Sequence, residues 1–308
     1  MSNDTIVVIG SINMDLVFRV PRMPLPGETL AGGPFQIIPG GKGANQAVAC
    51  ARLGAAGQRV AMIGCLGADA FGADLRRALR ADGIDDSHVS TLPGVASGVA
   101  SILVDANGQN SIVTAAGANA MLSPAHIDAA RSLIEGAGIV VLQLETPLDT
   151  VRHAMALARA MGKTVVLNPA PAPATTLPPA LLALADYLIP NEIEAAILAT
   201  TALDPADDNS VQRAASVLRA QGCRNVLITL GAKGVYAALE GGGQRFPAQA
   251  VAAVDTTAAG DTFIGGFVAA LAEGQGEAEA IGLGQRAAAW SVRHAGAQTS
   301  IPQRRELA

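Results

Sequence analysis

Residues 254–267 read V-D-T-T-A-A-G-D-T-F-I-G-G-F. An apolar approach over 250–254 runs into Asp255, a turn of small residues follows, and a helical run opens at Ala259-Gly260-Asp261. The first turn of a helix leaves N–H groups without intrahelical partners, and the macrodipole adds partial positive charge there. Glycine lets a ligand approach the backbone closely, so this turn suits an anion. A carboxylate at Asp261, beside a bound phosphate, needs a reason. Two are open. Asp is a favoured helix cap, or it serves as a general base that takes the proton of an alcohol attacking a phosphoryl group.

Composition narrows the class. The chain has 308 residues, half of them hydrophobic and only 3% aromatic, so one large aliphatic core is expected. A net charge of −5 and a pI near 5.4 argue against a nucleic-acid surface. Cys50, Cys65 and Cys223 share no C-x-x-C spacing and sit in apolar stretches, so buried free thiols in a reducing compartment are expected. The start M-S-N-D-T has no basic leader pattern and no apolar run reaches membrane-span length, which points to a cytoplasmic protein. His88, His126, His153 and His294 share no spacing that would suit a histidine metal site.

The β-branched run 5–9 ends at Gly10 and is predicted to be a buried strand. Ligands in open α/β sheets bind beyond the carboxyl ends of strands, so Asn13 and Asp15 are placed to hydrogen-bond a polyhydroxylated substrate; plain turn chemistry is the alternative. Residues 16–38 alternate around P-R-M-P-L-P-G-E and predict extended segments, not a crossover helix. Residues 98–114 predict a hairpin around Asp105-Ala106-Asn107-Gly108, since Asn-Gly is a strong turn signal. Together, about 14–39 and 97–115 form a small inserted sheet, a lid, or else extensions of the main sheet. The glycine turn P-G-G-K-G-A-N (39–45) precedes a helix over 44–53 and carries Lys42, one of three lysines, but lacks the frame of a P-loop.

Strands and helices then alternate: 59–63 with 69–81, 139–144 with 148–161, then strands 164–167, 187–189 and 225–230. Repeated βα units argue for a mostly parallel sheet covered by helices. Glu145, Asn168, Asn191 and Glu194 each follow a strand end, which gathers them at one site. The turn T-L-G-A-K-G (229–234) either admits a nucleotide or simply joins a hairpin, and Gly282, Gly284 and Ala287 to Ala289 of the last helix offer little bulk against a flat ligand.

With these pieces together, the chain resembles the PfkB carbohydrate kinases over essentially its whole length. G-G-K-G-A-N-Q-A (40–47) is similar to the N-terminal signature of that family and D-T-T-A-A-G-D-T-F (255–263) to its C-terminal one; G-S-I-N-M-D, Q-L-E-T-P, N-P-A-P-A and P-N-E-I-E-A are most similar to its ribose-specific branch. The resemblance implies a single domain over 1–308, a three-layer α/β/α fold with a mostly parallel central sheet and a small β-sheet lid. It implies ATP-dependent phosphorylation of D-ribose to D-ribose 5-phosphate. Asp261 would be the base, with an anion hole at Ala259-Gly260-Asp261. Asn13, Asp15, Gly41, Lys42, Asn45 and Glu145 would hold the sugar together with Asp261. Asn191, Glu194, Thr229, Gly231, Lys233, Gly234, Gly260 and Gln285 would serve ATP and Mg²⁺, with Gln285 standing where the family usually has His or Asn. A K⁺ site would draw on Asp255, Thr257, Ser291, His294, Gly296 and Ser300.

Other readings are a kinase for deoxyribose, fructose or a nucleoside, or a silent sugar or nucleotide-binding module. Apolar positions Val17, Val20, Ile102 and Val104 on the small sheet predict a homodimer through the lid.

Overall fold

A computed structural model describes residues 5–307; the four N-terminal residues, on which part of the leader reading rests, and Ala308 lie outside the described residues. Among the described residues thirteen strands run in order: β1 (Ile6–Ile9), β2 (Asn13–Arg19), β3 (Phe35–Gly40), β4 (Val60–Gly67), β5 (Asp85–Leu92), β6 (Gly98–Val104), β7 (Asn110–Ala115), β8 (Ile139–Leu142), β9 (Thr164–Leu167), β10 (Tyr187–Leu188), β11 (Asn225–Thr229), β12 (Val235–Leu239) and β13 (Gly242–Phe246). The helices are α1 (Lys42–Leu53), α2 (Ala70–Ala81), α3 (Pro124–Ala129), α4 (Arg131–Glu135), α5 (Leu148–Ala160), α6 (Pro179–Leu182), α7 (Glu192–Ala199), α8 (Asp208–Ala220), α9 (Ala259–Ala272) and α10 (Glu277–Ser291).

Nine strands form one sheet in the order β13-β12-β11-β10-β9-β8-β1-β4-β5. From β11 to β5 every pairing is parallel, and only the β11–β12 and β12–β13 pairings are antiparallel. Successive side chains of a strand point to opposite faces, and the core divides accordingly. Val7 and Ile9 pack with α5 and α8 residues such as Met155 and Leu218, whereas Ile6 and Val8 pack with α1, α9 and α10 through Val48, Phe267 and Ile281. This is the expected three-layer α/β/α arrangement. Among the described residues no helix is long and apolar enough to cross a membrane.

The expected small sheet is present as β3-β2-β6-β7, built from the two predicted extended stretches. Its apolar exposure differs from the expectation. Ile102 is covered and Val17, Val20 and Val104 are half-buried, while Phe18, Phe35, Ile37, Ile112 and Val113 are left open, Val113 at 71%. Alternation along a strand identifies which residues share a face, but only packing determines which of them are covered.

β5 and β13 were not legible in advance. β5 (D-D-S-H-V-S-T-L) is a polar edge strand that buries only Asp86 and Val89, and β13 is Gly-rich and largely exposed, so neither carries a hydrophobic run.

Candidate active site

The site forms where α1 and α9 start. Gly41 caps α1 at φ 88°, and a Cβ there would stand 2.6 Å from the Asn13 nitrogen, so only glycine fits this turn. The helix has no acid in its own first turn; distant groups take its free amides. Glu145 Oε2 accepts from the Lys42 amide at 3.2 Å and from Ser11 Oγ at 2.5 Å, and Ser11 Oγ accepts from the Gly43 amide at 3.2 Å. Asn13 Oδ1 accepts from Asn119 Nδ2 at 2.7 Å, and a Cβ at Gly40 would collide with the Asp15 carboxylate.

α9 opens after Ala258, a non-glycine residue in the left-handed region at φ 57°. Such a conformation costs energy and persists where the surroundings enforce it. The Ala259 amide donates to Thr256 O at 3.2 Å, so it closes the turn; among the described residues the Gly260 and Asp261 amides have no acceptor. The expected three-amide hole therefore presents two free donors here. Gly260 faces open space, with no atom within 4 Å of where a Cβ would stand.

Asp261 is buried. Its Oδ2 accepts from Asn45 Nδ2 at 3.0 Å and its Oδ1 from Gln46 Nε2 at 2.9 Å. Burial pushes its carboxyl above the usual range, opposed by Lys42 and the two amide donors, with Glu145 adding to the rise. Asp15 is pushed up to about 7 by burial, then by Glu145 and Asp261, against the pull of Lys42. Burial also raises Glu194. At Lys42 burial acts downward, but the charges of Asp261, Glu145, Glu194 and Asp15 outweigh it and hold the ammonium above its ordinary range. Asp15, Lys42, Asn45, Glu145 and Asp261 thus share one electrostatic neighbourhood, and Asn45 Oδ1 is a buried acceptor without a donor among the described residues.

Beside the α9 start lies a largely apolar cavity of about 490 Å³. Thr229, Gly231, Gly234, Gly260 and Gln285 are among the residues that line it. Gln285 Nε2 donates to Phe246 O and Pro247 O, which leaves Oε1 as the only acceptor its amide offers. Lys233 does not line the cavity; its carbonyl accepts from Arg245. Asn191 and Glu194 are also absent from the lining and instead cap α7 reciprocally, each side chain accepting from the other's amide at 2.8 Å. On α10, Ala288 and Ala289 face the cavity, but Gly284 abuts Phe263 and Ala287 is buried, so the small residues there serve helix packing as well as the lining.

Asp255 Oδ1 accepts from the amide and hydroxyl of Thr257, and Oδ2 from the Gly296 amide at 2.9 Å. These bonds hold its carboxyl below the usual range against the opposing effect of burial. Ser291 and Ser300 are buried with their hydroxyls bonded to Ala288 O and Ala297 O, while His294 is exposed and stacked on Trp290. The structure thus brings Asp255, Thr257 and Gly296 into contact and leaves Ser291, His294 and Ser300 without a bond to them. Sequence reasoning missed Ser11, Gln46, Asn119 and Gln143 as site residues. Gln46 lies inside the G-G-K-G-A-N-Q-A motif, and its signal was a second amide next to Asn45 on an otherwise apolar helix.

Residues 3–304 match the family model described as pfkB family carbohydrate kinase. A ribokinase from Haemophilus influenzae is 48% identical over 302 residues, covering 98% of this chain and 96% of that one. A deoxyribokinase from Salmonella typhi is 40% identical over 297 residues, covering 96% and 95%. The structure of Arabidopsis thaliana ribokinase complexed with ribose and ATP matches at TM-score 0.90 and 31% identity, covering 100% of this chain and 98% of that one.

The Asp15 carboxyl sets a pH dependence. It titrates near 3.8 in the unfolded chain and about 7 in the folded one, so the folded state holds its proton more tightly between those values. Its contribution to stability is full below pH 4 and is lost as pH rises through 7. Asp15→Asn removes that loss. The variant should gain stability relative to the parent between pH 4.5 and 8, by up to about 4 kcal/mol, in denaturant titrations of ligand-free protein. A difference that does not change with pH would contradict the raised carboxyl.

Proposed function

This chain belongs to the pfkB family of carbohydrate kinases, and from that premise we propose that it transfers the γ-phosphoryl group of ATP to the 5-hydroxyl of D-ribose. One observation carries the reading: at the start of α9 the Asp261 carboxylate meets the polar cluster through Asn45, the neighbouring Ala259 and Gly260 line the cavity, and two amides are free. ATP occupies the cavity with its base toward Gln285 and its phosphates toward Gly260. Asn13, Asp15, Lys42, Asn45 and Glu145 hold the sugar. Asp261 takes the proton of the 5-hydroxyl as that oxygen forms its bond to the γ-phosphorus, and the Gly260 and Asp261 amides stabilise the charge on the transferred group. Carboxylates outnumber the lone ammonium on the acceptor side, which suits a neutral polyol and disfavours an acceptor already carrying phosphate. The small sheet closes over the sugar as a lid.

Mg²⁺, when bound, would neutralise charge on the phosphates. Among the described residues no group of three His, Cys, Asp or Glu side chains is arranged to hold a metal ion by itself, so the ion would be held mainly by phosphate and water near Glu194. A coupled ADP assay over ribose, 2-deoxyribose, fructose, adenosine and pseudouridine tests the reading. Ribose should lead in kcat/KM, with deoxyribose lower by a few kcal/mol in transition-state binding, roughly the cost of leaving buried partners such as Asn45 Oδ1 unpaired. In the same assay Asp261→Asn should lower kcat by roughly 10²–10⁴-fold with nucleotide affinity nearly unchanged. A lead for deoxyribose would replace the sugar, and near-normal turnover of the variant would remove the base.

The Asp255 carboxylate suits a large monovalent cation better than Mg²⁺, because no other acid is among the charges acting on it and a single carboxylate with carbonyl oxygens does not make the compact octahedron that Mg²⁺ demands. K⁺ would be held by Asp255 and the Thr257 carbonyl, with the 291–300 segment around it, and would order the turn into α9. K⁺ should raise kcat and Na⁺ should do so poorly. Equal rates in the two salts at matched ionic strength would exclude the site.

Phe18, Phe35, Ile37 and Val113 leave an apolar surface on one face of the small sheet. A second copy of the chain covers it in our reading. Sedimentation at micromolar concentration should give a dimer; monomer alone would refute this.

A further inference from the structure

Asp261 rests on a run of buried amide side chains that phosphoryl transfer, as described above, does not use. Gln46 and Gln143 are fully buried and Asn168 nearly so. Both Gln46 Nε2 hydrogens have acceptors, Asp261 Oδ1 at 2.9 Å and Asn168 Oδ1 at 3.1 Å. Gln46 Oε1 accepts from Gln143 Nε2 at 2.6 Å, and Asn168 Nδ2 donates to Ile189 O at 2.9 Å, which turns the Asn168 oxygen toward Gln46. Rotating the Gln46 amide by half a turn would set its oxygen against a carboxylate and an amide oxygen, and its NH₂ against another NH₂. One orientation alone satisfies the run. At its far end Gln143 Oε1 has no donor although it is buried, and it occupies the hollow over Gly10 that a Cβ would fill. An unpaired buried oxygen is destabilising, so the Gln143 amide is held in this orientation by its bond to Gln46 and not by any partner of its oxygen.

We propose that Gln46, locked in one orientation by Gln143 and Asn168, is a positioning residue that keeps Asp261 ionised and fixes its Oδ1, so that Oδ2 is the oxygen that takes the substrate proton. The inference rests on the reading of Asp261 as the general base. Oδ2 is the oxygen paired with Asn45, which belongs to the sugar side, whereas Oδ1 is tied to a residue with no access to solvent. The charged groups facing Asp261 are Lys42 on α1, Asp15 on β2, Glu145 after β8 and Glu194 on α7. Three of the four are carboxylates that oppose its ionisation. A directed donor at Oδ1 works against them, and a hydrogen bond to a charged group is among the stronger ones.

The test uses the full chain as wild type, Gln46→Leu and Gln143→Leu. The Asp261 carboxyl is followed by NMR of protein labelled with ¹³C at the aspartate carboxyls, its signal assigned by loss in Asp261→Asn, and kcat and KM are measured against pH with ribose and ATP. In Gln46→Leu the Asp261 midpoint should rise by about one pH unit or more and kcat should fall about tenfold or more. The acidic limb of kcat should follow the midpoint, and KM for both substrates should change by less than about threefold. Gln143→Leu keeps the donor but frees its orientation, so it should shift both in the same direction by less; it also decides the matter if Gln46→Leu does not fold. An unmoved midpoint in the folded variants, or an effect confined to KM, overturns the proposal. If the wild type shows no sugar-dependent ADP formation, the functional reading fails instead, and the midpoints still decide whether Gln46 controls Asp261.

Discussion

The close approach of α1 and α9 is the constraint on which the site depends. Asp261 meets Asn45, and four residues further along each helix Gly265 meets Ala49. Four residues is about one turn, so the two contacts stack along one parallel seam. A Cβ at Gly265 would collide with Ala49 and stand 2.9 Å from the Cys50 nitrogen, so a larger side chain there would force the helices apart. The next residue, Gly266, lies equally close to Gly284 on α10. α9 is thus held between two helices by glycines at adjacent positions, and its start can move little relative to the polar groups of α1.

That rigidity matters because the site concentrates like charge. Asp15, Glu145, Glu194 and Asp261 surround one ammonium, and burial raises Asp15, Glu194 and Asp261 further. Such a cluster persists where fixed donors face it. Here the donors are the Lys42 amide on Glu145, the Asn191 amide on Glu194, and the Asn45 and Gln46 side chains on Asp261. Backbone dipoles at two helix starts supply positive potential without adding another charged side chain. The left-handed Ala258 belongs to the same arrangement, since it turns the chain so that the Gly260 and Asp261 amides emerge together.

Much of this was legible in the chain. The two signatures marked the starts of α1 and α9, and the strand-end positions of Asn13, Glu145 and Asn191 followed from the rule that open α/β sheets present ligand groups at their carboxyl edge. The roles within the site were less legible. Glu194 looked like a ligand group, yet one of its oxygens caps α7; Lys233 sits in the expected turn but outside the cavity lining. Short motifs give a residue its place along the backbone, while the direction of a side chain depends on neighbours from other elements.

By itself the sequence determined the parallel sheet covered by helices, the extended stretches that build the small sheet and the two loops that carry the chemistry. Those features rest on local regularities: apolar periodicity, glycine turns and runs of strand and helix in alternation. The tertiary structure alone decided which amides remain free at α9, which apolar residues of the small sheet stay uncovered, and that Gln143, Gln46 and Asn168 meet behind Asp261. Those residues lie on α1 and after β8 and β9, up to 215 residues from the carboxylate they serve. A hydrogen bond needs donor and acceptor within about 3 Å and well aligned, and no spacing within one segment encodes that; only the packing of separate helices and strand ends brings it about.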